Sequence, residues 1–325
     1  MKYHLNSGWV YRDRIGPKDA NSTVLDYYSR RYRHSDRDTW RDRIETQQIY
    51  LGDRPATADQ RLITGQELQY HRPPWHEPPV PLDFQVLYED RDLLIVSKPA
   101  GLPVMPAGGF LEHTLLHQLQ LLYPEKGNTE HTPIPIHRLG RGTSGLMILA
   151  RSPLARSRLT QQMRDRQLIK IYWALATGCP PQDQFTLTTP IGKLPHPTLG
   201  HLYGATPTGQ FAHSTVSVRS RYPKQNQSLV EVNILTGRPH QIRIHLAAAG
   251  YPLVNDPLYL CGGKPKLTVN PATGQLPVPG DCGYHLHAWQ LVVKHPRTQT
   301  GLSLMAPPPA LLQPQNSLQP QKGEA

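Results

Sequence analysis

An α+β protein of two domains is what this chain of 325 residues predicts, on three observations. Apolar residues alternate in short runs, over residues 84–96 and 170–175, at the period of a strand. Stretches with helical spacing and side-chain caps lie before and between those runs. Residues 71–81, His-Arg-Pro-Pro-Trp-His-Glu-Pro-Pro-Val-Pro, can form neither a helix nor an inner strand, because proline fixes its own backbone angle and lacks the amide donor. That stiff stretch divides the chain.

The first 20 residues show no clear period. Ser22 can cap a helix carrying Val24, Leu25, Tyr28 and Tyr32. Ser35 with Asp38 makes a start like a capping box for a second helix through Ile44. Residues 48–51, a Gly52-Asp53 turn and residues 65–70 predict small strands. The expected organisation is therefore a small domain over 1–72, a Pro-rich linker over 73–83 and a large domain over 84–306. Residues 307–325, rich in Pro and Gln and poor in aromatics, are expected as a disordered tail, since they have too little to bury. Within the large domain a polar turn, Glu89-Asp90-Arg91-Asp92, separates two strands, and Lys98-Pro99-Ala100-Gly101-Leu102 ends the second in a turn. A basic helical stretch over 154–166 leads into the strand at 170–175. Pro239 suits the first turn of a helix with Ile242, Leu246 and Ala249 on one face, which Gly250 and Pro252 stop.

Lys and Arg number 35 against 24 Asp and Glu, a formal charge of +11. That excess favours polyanionic partners: RNA, DNA or an anionic membrane. No run of about 18 apolar residues could span a bilayer, and the first residues lack the apolar core of a signal peptide, so a cytoplasmic location is expected. Cys179, Cys261 and Cys282 form no Cys-x-x-Cys pair, which argues against a disulfide framework or a thiolate zinc site. His113 and His117 lie one helical turn apart with no acidic third ligand nearby, so no metal is expected. Arg30, Arg31, Arg33, Arg37, Arg41 and Arg43 cluster in the two helices and their connection, with Tyr32 and Trp40 nearby for stacking. Guanidinium forks there could meet phosphates; equally, Asp36, Asp38, Asp42 and Glu45 could pair them at one-turn spacing.

Residues 136–150, Ile-His-Arg-Leu-Gly-Arg-Gly-Thr-Ser-Gly-Leu-Met-Ile-Leu-Ala, resemble the signature of the RluA-type RNA pseudouridine synthases, usually His-Arg-Leu-Asp, two variable residues, then Thr-Ser-Gly-Leu. Gly140 stands where that family has its catalytic aspartate. Lys98 to Leu102 is similar to the family's opening Lys-Pro-Ala-Gly-Leu, Lys170-Ile171-Tyr172-Trp173-Ala174 to its Lys-x-Tyr-x-Ala strand, and residues 235–246 to its Thr-Gly-Arg-x-His-Gln-Ile-Arg motif. Residues 209–215, 251–259 (with Asn255 in place of a glycine), 287–289 and 295–296 extend the likeness over about 84–306. The resemblance implies a pseudouridine synthase fold, a mixed, largely antiparallel sheet with flanking helices around an RNA-binding cleft. It implies isomerisation of uridine to pseudouridine in ribosomal or transfer RNA by a monomer without cofactor or metal. Tyr172 would pack against the target base and Arg243 would pair with the catalytic acid, the two lining one cleft. Arg138, Arg141, Arg238 and His240 would contact RNA. The small domain resembles an RNA-binding fold of a ribosomal protein, in which Arg30, Arg31 and Arg33 would grip RNA.

The chemistry calls for a carboxylate close to the ribose, and Gly140 offers none. With Gly142 it makes a Gly-Arg-Gly loop expected to use backbone angles closed to other residues. Three readings follow: an acid from another segment (Asp256, Glu89, Asp90 or Asp92) replaces the aspartate; the protein grips RNA without isomerising it; or Arg141 turns the position into a phosphate site. Arg243 must in any case find a partner, because a buried unpaired charge is strongly destabilising.

Overall fold

A computed structural model describes residues 5–124, 132–271 and 274–314. The described residues group into two compact units, one drawn from Met1–Pro79, Gly109–Glu112 and Pro195–His201, the other from Val80–Gly108, His113–Leu194 and Leu202–Ala325.

The small unit holds strand β1 (Trp9–Arg14), helices α1 (Val24–Arg31) and α2 (Arg37–Glu45), and strands β2 (Ile49–Leu51), β3 (Arg54–Pro55) and β4 (Glu67–Arg72). The sheet order is β1-β4-β2-β3. The helices begin one residue later than their sequence suggested: Thr23 Oγ1 accepts from the Asp26 amide and Asp36 Oδ1 from the Thr39 amide. Ser22 is used otherwise, its carbonyl taking the Leu62 amide. β1 carries no readable period because both of its faces are largely exposed; long-range pairing with β4 extends it. Val24, Tyr27, Tyr28, Trp40, Ile49 and Leu68 form the buried core. Beyond β4 the Pro-rich stretch is packed rather than loose. Arg72 lies 3.5 Å from the centre of the Trp75 ring, and Glu77 accepts from Asn6 at 2.7 Å.

The large unit contains β5 (Gln85–Glu89), β6 (Leu93–Lys98), α3 (Leu115–Leu122), β7 (Ile134–Pro135), β8 (Ser144–Ala150), α4 (Pro153–Arg164) and β9 (Ile169–Thr177). They are followed by β10 (Gln184–Leu187), β11 (Ile191–His196), β12 (Gly200–Ala205), β13 (Ser214–Tyr222), β14 (Gln227–Ile234), α5 (Gln241–Ala248), β15 (Leu286–Lys294) and β16 (Gly301–Met305). β11 and β12 pair with each other, their turn being grouped with the first unit. The main sheet runs β10-β13-β14-β9-β15-β8-β6-β5, with β16 added to β15 and β7 to β8. The strand pairs of this sheet are antiparallel except β15 with β8, where His287 and Ala288 lie beside Ser144 and Gly145. β8 is buried throughout and β6 nearly so, which is why they read as continuous apolar runs rather than alternation. At the parallel junction Gly145 has φ +102, and a Cβ there would stand 2.3 Å from the Ala288 carbonyl oxygen. Only glycine fits, and the junction brings the preceding Gly140 loop to the middle of the sheet.

The expected tail is partly ordered: Leu312, in a short turn over Ala310–Leu312, is 2 % exposed and packs with Leu175 and Leu229. One leucine can anchor such a segment where composition alone suggests none; residues 315–325 lie outside the described residues. Among the described residues no helix is long and apolar enough to cross a membrane.

Candidate active site

β9 presents Lys170 and Tyr172 on one face, two residues apart, into a cleft of about 530 Å³. His137 and Arg138 border it from the segment after β7, Gly237 and Arg238 from the approach to α5, and Met163 from the last turn of α4. Tyr172 is 7 % exposed, and burial pushes its phenol up to about 12. Burial likewise holds the Lys170 ammonium below its ordinary range, so its neutral amine is more accessible than that of a surface lysine. Burial, then the neighbouring Lys170 charge, brings His137 down to about 4. Its Nε2 takes the Ile148 amide at 3.2 Å, which leaves the neutral ring's proton on Nδ1. Arg238 is braced by Gln210 Oε1 at 2.6 Å and the Phe211 carbonyl at 2.9 Å. The cleft lining includes lysine, arginine and histidine but no Asp or Glu among the described residues.

The Gly140 loop is shaped by side-chain volume rather than by unusual backbone angles. Neither Gly140 nor Gly142 has a positive φ, which corrects the expectation drawn from Gly-Arg-Gly. What occupies the space is Tyr284. A Cβ at 140 would lie 2.9 Å from its hydroxyl, and a Cβ at 142 would lie 2.9 Å from its Cζ. Tyr284 is 4 % exposed and its hydroxyl is 3.3 Å from Thr143 Oγ1. Below the loop, Lys98 Nζ donates to the carbonyls of Pro99, Leu102 and Arg141. This joins the Lys-Pro-Ala-Gly-Leu turn to the loop, and burial brings the ammonium down to about 7. The Arg141 Nε faces Cys282 Sγ at 3.1 Å.

The polar side chains of the α5 motif are drawn inward. His240 opens the helix with φ 55, so Pro239 precedes the helix instead of forming its first turn. Its Nδ1 is 2.9 Å from the Tyr259 hydroxyl, and burial, then Arg243, brings the imidazole down to about 3. Gln241 joins Thr236, Ser214 and the backbone of His213 and Arg238. Arg243 makes a two-pronged pair with Asp256, Nε to Oδ2 and Nη2 to Oδ1, both at 2.7 Å. The two side chains are 2 % and 1 % exposed. Asp256 Oδ1 also accepts the amides of Leu258 and Tyr259. The guanidinium lies 4.1 Å from the centre of the Tyr284 ring, and Nη1 has no hydrogen-bond partner among the described residues. The partner required by charge is thus present, but Arg243 does not line the cleft that Tyr172 lines. Asp256 holds it inside the fold.

The sheet and these motifs agree with known proteins. Residues 92–248 match the RNA pseudouridylate synthase family. An uncharacterized RNA pseudouridine synthase of Synechocystis sp. is 45% identical over 293 residues, 90% of this chain and 96% of the relative. The chain belongs to the RluA-type RNA pseudouridine synthase family. RNA pseudouridine synthase 5 of Oryza sativa subsp. japonica is 39% identical over 95% of this chain and 89% of its own. Ribosomal large subunit pseudouridine synthase D of Neisseria meningitidis is 33% identical over 80% and 69%. Human RNA Pseudouridylate Synthase Domain Containing 1 shares the fold, with TM-score 0.54 and 24% identity over 73% of this chain and 89% of the other. The synthase family isomerises uridine to pseudouridine in RNA.

None of the four acids considered as substitutes lines the cleft that Tyr172 lines. Asp256 serves Arg243. Glu89 accepts from Arg151, Asp90 from Tyr88 and faces His295, and Asp92 accepts from Arg297 and Ser152. In the small unit, Arg30 pairs with Asp19, Arg31 with Asp13, Arg37 with Asp26 and Arg41 with Asp38. Of these partners only Asp38 is at one-turn spacing. Trp40 is core, with Arg43 over its ring at 4.4 Å, and is not a surface for stacking bases. Arg33 is exposed. The small unit's excess of charge is slight, 13 Lys and Arg against 11 Asp and Glu over residues 1–79. His113 precedes the α3 cap while His117 lies in its first turn, and no group of three potential metal ligands occurs among the described residues. Sequence reasoning missed Tyr284, which sits in an irregular segment 144 positions from Gly140, and gave Lys170 no role although it lies in the same strand motif as Tyr172.

Proposed function

We propose that the chain isomerises uridine to pseudouridine in ribosomal or transfer RNA, with the reaction in the cleft lined by Tyr172 and Lys170. The observation that carries this reading is the convergence of the Lys-x-Tyr strand, the His-Arg-Leu segment and the Thr-Gly-Arg turn on one cationic cleft. Tyr172 would pack on the flipped base, whose removal from its stack costs a few kcal/mol that flanking contacts offset. Lys170, whose ammonium is disfavoured by burial, is proposed as a proton acceptor of the cleft in its neutral form. As the ammonium it would stabilise negative charge on the detached uracil. Arg138, Arg141, Arg238 and His240 are proposed as RNA contacts of this unit, and Arg30, Arg31 and Arg33 as those of the small unit, acting as an RNA-binding domain. Arg243 is proposed to orient α5 through Asp256. The test is pseudouridine mapping on ribosomal and transfer RNA treated with the purified protein. New sites that require Tyr172 support the reading, and a wild-type protein that makes none on either RNA class refutes it.

The absence of a carboxylate from the cleft lining, with Tyr284 over Gly140, favours one second reading: a family relative that holds RNA without isomerising it. RNA binding with no pseudouridine formed would select it.

A further inference from the structure

Beside the cleft lies a second groove, of about 650 Å³, along α4. Arg156, Thr160 and Arg164 recur along its wall and Arg151 also lines it; among the described residues no Asp or Glu is part of the lining. Three- and four-residue spacing places Arg156, Ser157, Thr160, Gln161 and Arg164 on one helix face. The opposite face is fixed to the fold. Ala155 and Leu159 are buried, and Gln162 both donates to the Lys294 carbonyl and accepts its amide, at 2.8 and 3.1 Å. Ser152 caps the helix while donating to Asp92 at 2.6 Å. The groove wall is therefore a rigid platform.

Arg151 is held by Glu89 and by the Asp90 carbonyl, both at 2.7 Å. Arg156 and Arg164 are exposed and have no carboxylate partner among the described residues. Residues adjacent in the chain line the groove and the cleft. Ile134 lines the groove while Pro135, Ile136, His137 and Arg138 line the cleft, and Arg164 lines the groove while Met163 lines the cleft. A strand leaving the cleft beside Arg138 would meet the α4 arginines next.

We propose that the α4 groove binds the sugar-phosphate backbone of the RNA flanking the target uridine, with Arg156 and Arg164 on phosphates and Ser157, Thr160 and Gln161 as hydrogen-bonding groups between them. The proposal rests on the reading of the cleft as the uridine site. Guanidinium forks suit phosphate oxygens, and the eight helical rises from Arg156 to Arg164 separate the two arginines by about 12 Å along the helix axis, so they would meet different phosphates of one strand. Backbone contacts of this kind carry no sequence information; they hold register and help offset the cost of flipping the base.

The test uses the full chain and two probes, a long poly(U) strand able to cross both cavities and a short oligouridine that fills only the cleft. Arg156→Gln/Arg164→Gln should weaken the long strand about tenfold at 0.1 M salt and lower the slope of log affinity against log salt by about 1.4, two contacts at about 0.7 each. Short-probe binding should stay unchanged. Arg158→Gln removes one charge of the same kind from an exposed position outside the groove and should leave both probes nearly unaffected, while Arg156→Lys/Arg164→Lys should retain the wild-type salt slope. Equal weakening by Arg158→Gln, or unchanged long-strand binding by the double Gln variant, overturns the groove assignment. Pseudouridine yield of the wild type on ribosomal RNA, measured separately, reports on the uridine site: a weakened double Gln variant beside an inactive wild type would keep the backbone track and reject isomerisation.

Discussion

Replacing Gly140 with Asp puts a side chain where Tyr284 already lies. The new Cβ would stand 2.9 Å from the Tyr284 hydroxyl and 3.5 Å from Thr143 Oγ1. Tyr284 has little room to yield, since it is buried in the core, rests against the Arg243 guanidinium and covers Gly142. Overpacking of this type costs about 1–3 kcal/mol, and a domain of this size melts some 2–4 °C lower for each. One effect opposes it: Arg243 Nη1 is buried without a partner among the described residues, and a carboxylate could satisfy it. Tyr284→Phe removes the nearest atom of the clash. Gly140→Asp/Tyr284→Phe should therefore be more stable than the sum of the two single changes by about 1 kcal/mol, within the range found for residues in contact. The assay is a denaturant double-mutant cycle, with mass-spectrometric pseudouridine yield on ribosomal RNA for all four proteins. The double variant should give the highest yield, because it alone restores a carboxylate with space to turn. Strict additivity, with Gly140→Asp as stable as the parent, would refute Tyr284 as the reason for glycine at this position.

Asp256→Asn leaves Arg243 buried without its counter-charge and should destabilise the large unit by about 3–5 kcal/mol in chemical denaturation; a loss below 1 kcal/mol would show that the pair is solvated. Asp92, held down to about 2 chiefly by Arg297, has its folded value below the ordinary 3.8, so its stabilisation is present above pH 4 and lost as pH falls toward 2. Arg297→Ala should flatten that part of the stability curve, and an unchanged acid limb would discount the pair. Tyr172→Phe should lower single-turnover pseudouridine formation with RNA affinity nearly intact. Lys170→Arg should abolish the rise in rate as pH passes through the depressed lysine value, while persistence of that rise would exclude Lys170 as the base. In the small unit Arg33→Ala should weaken RNA binding more than Arg30→Ala, because Asp19 already engages Arg30; equal effects in a filter-binding assay would argue against this.

Local chemistry was legible in the sequence by itself. The strand pair of β5 and β6, the helices α1, α2 and α4, and the motif order that identifies the family follow from residues a few positions apart, whose periods act within one element. β1 escaped notice because neither face is well buried and its pairing partner lies more than fifty residues away. Leu312 escaped because a single anchoring contact leaves no period. At the candidate site the sequence pointed to Tyr172, which lines the cleft, and to Arg243, which does not, and it read Gly140 as backbone freedom where Tyr284 fills the space. Only the tertiary structure could bring Tyr284 over Gly140 and Gly142, turn Asp256 inward to Arg243, and place Lys170 beside Tyr172 in a cleft from which Arg243 is excluded. Excluded volume and buried charge pairing act between atoms close in space, and a chain's order does not encode which distant side chain will fill a given gap.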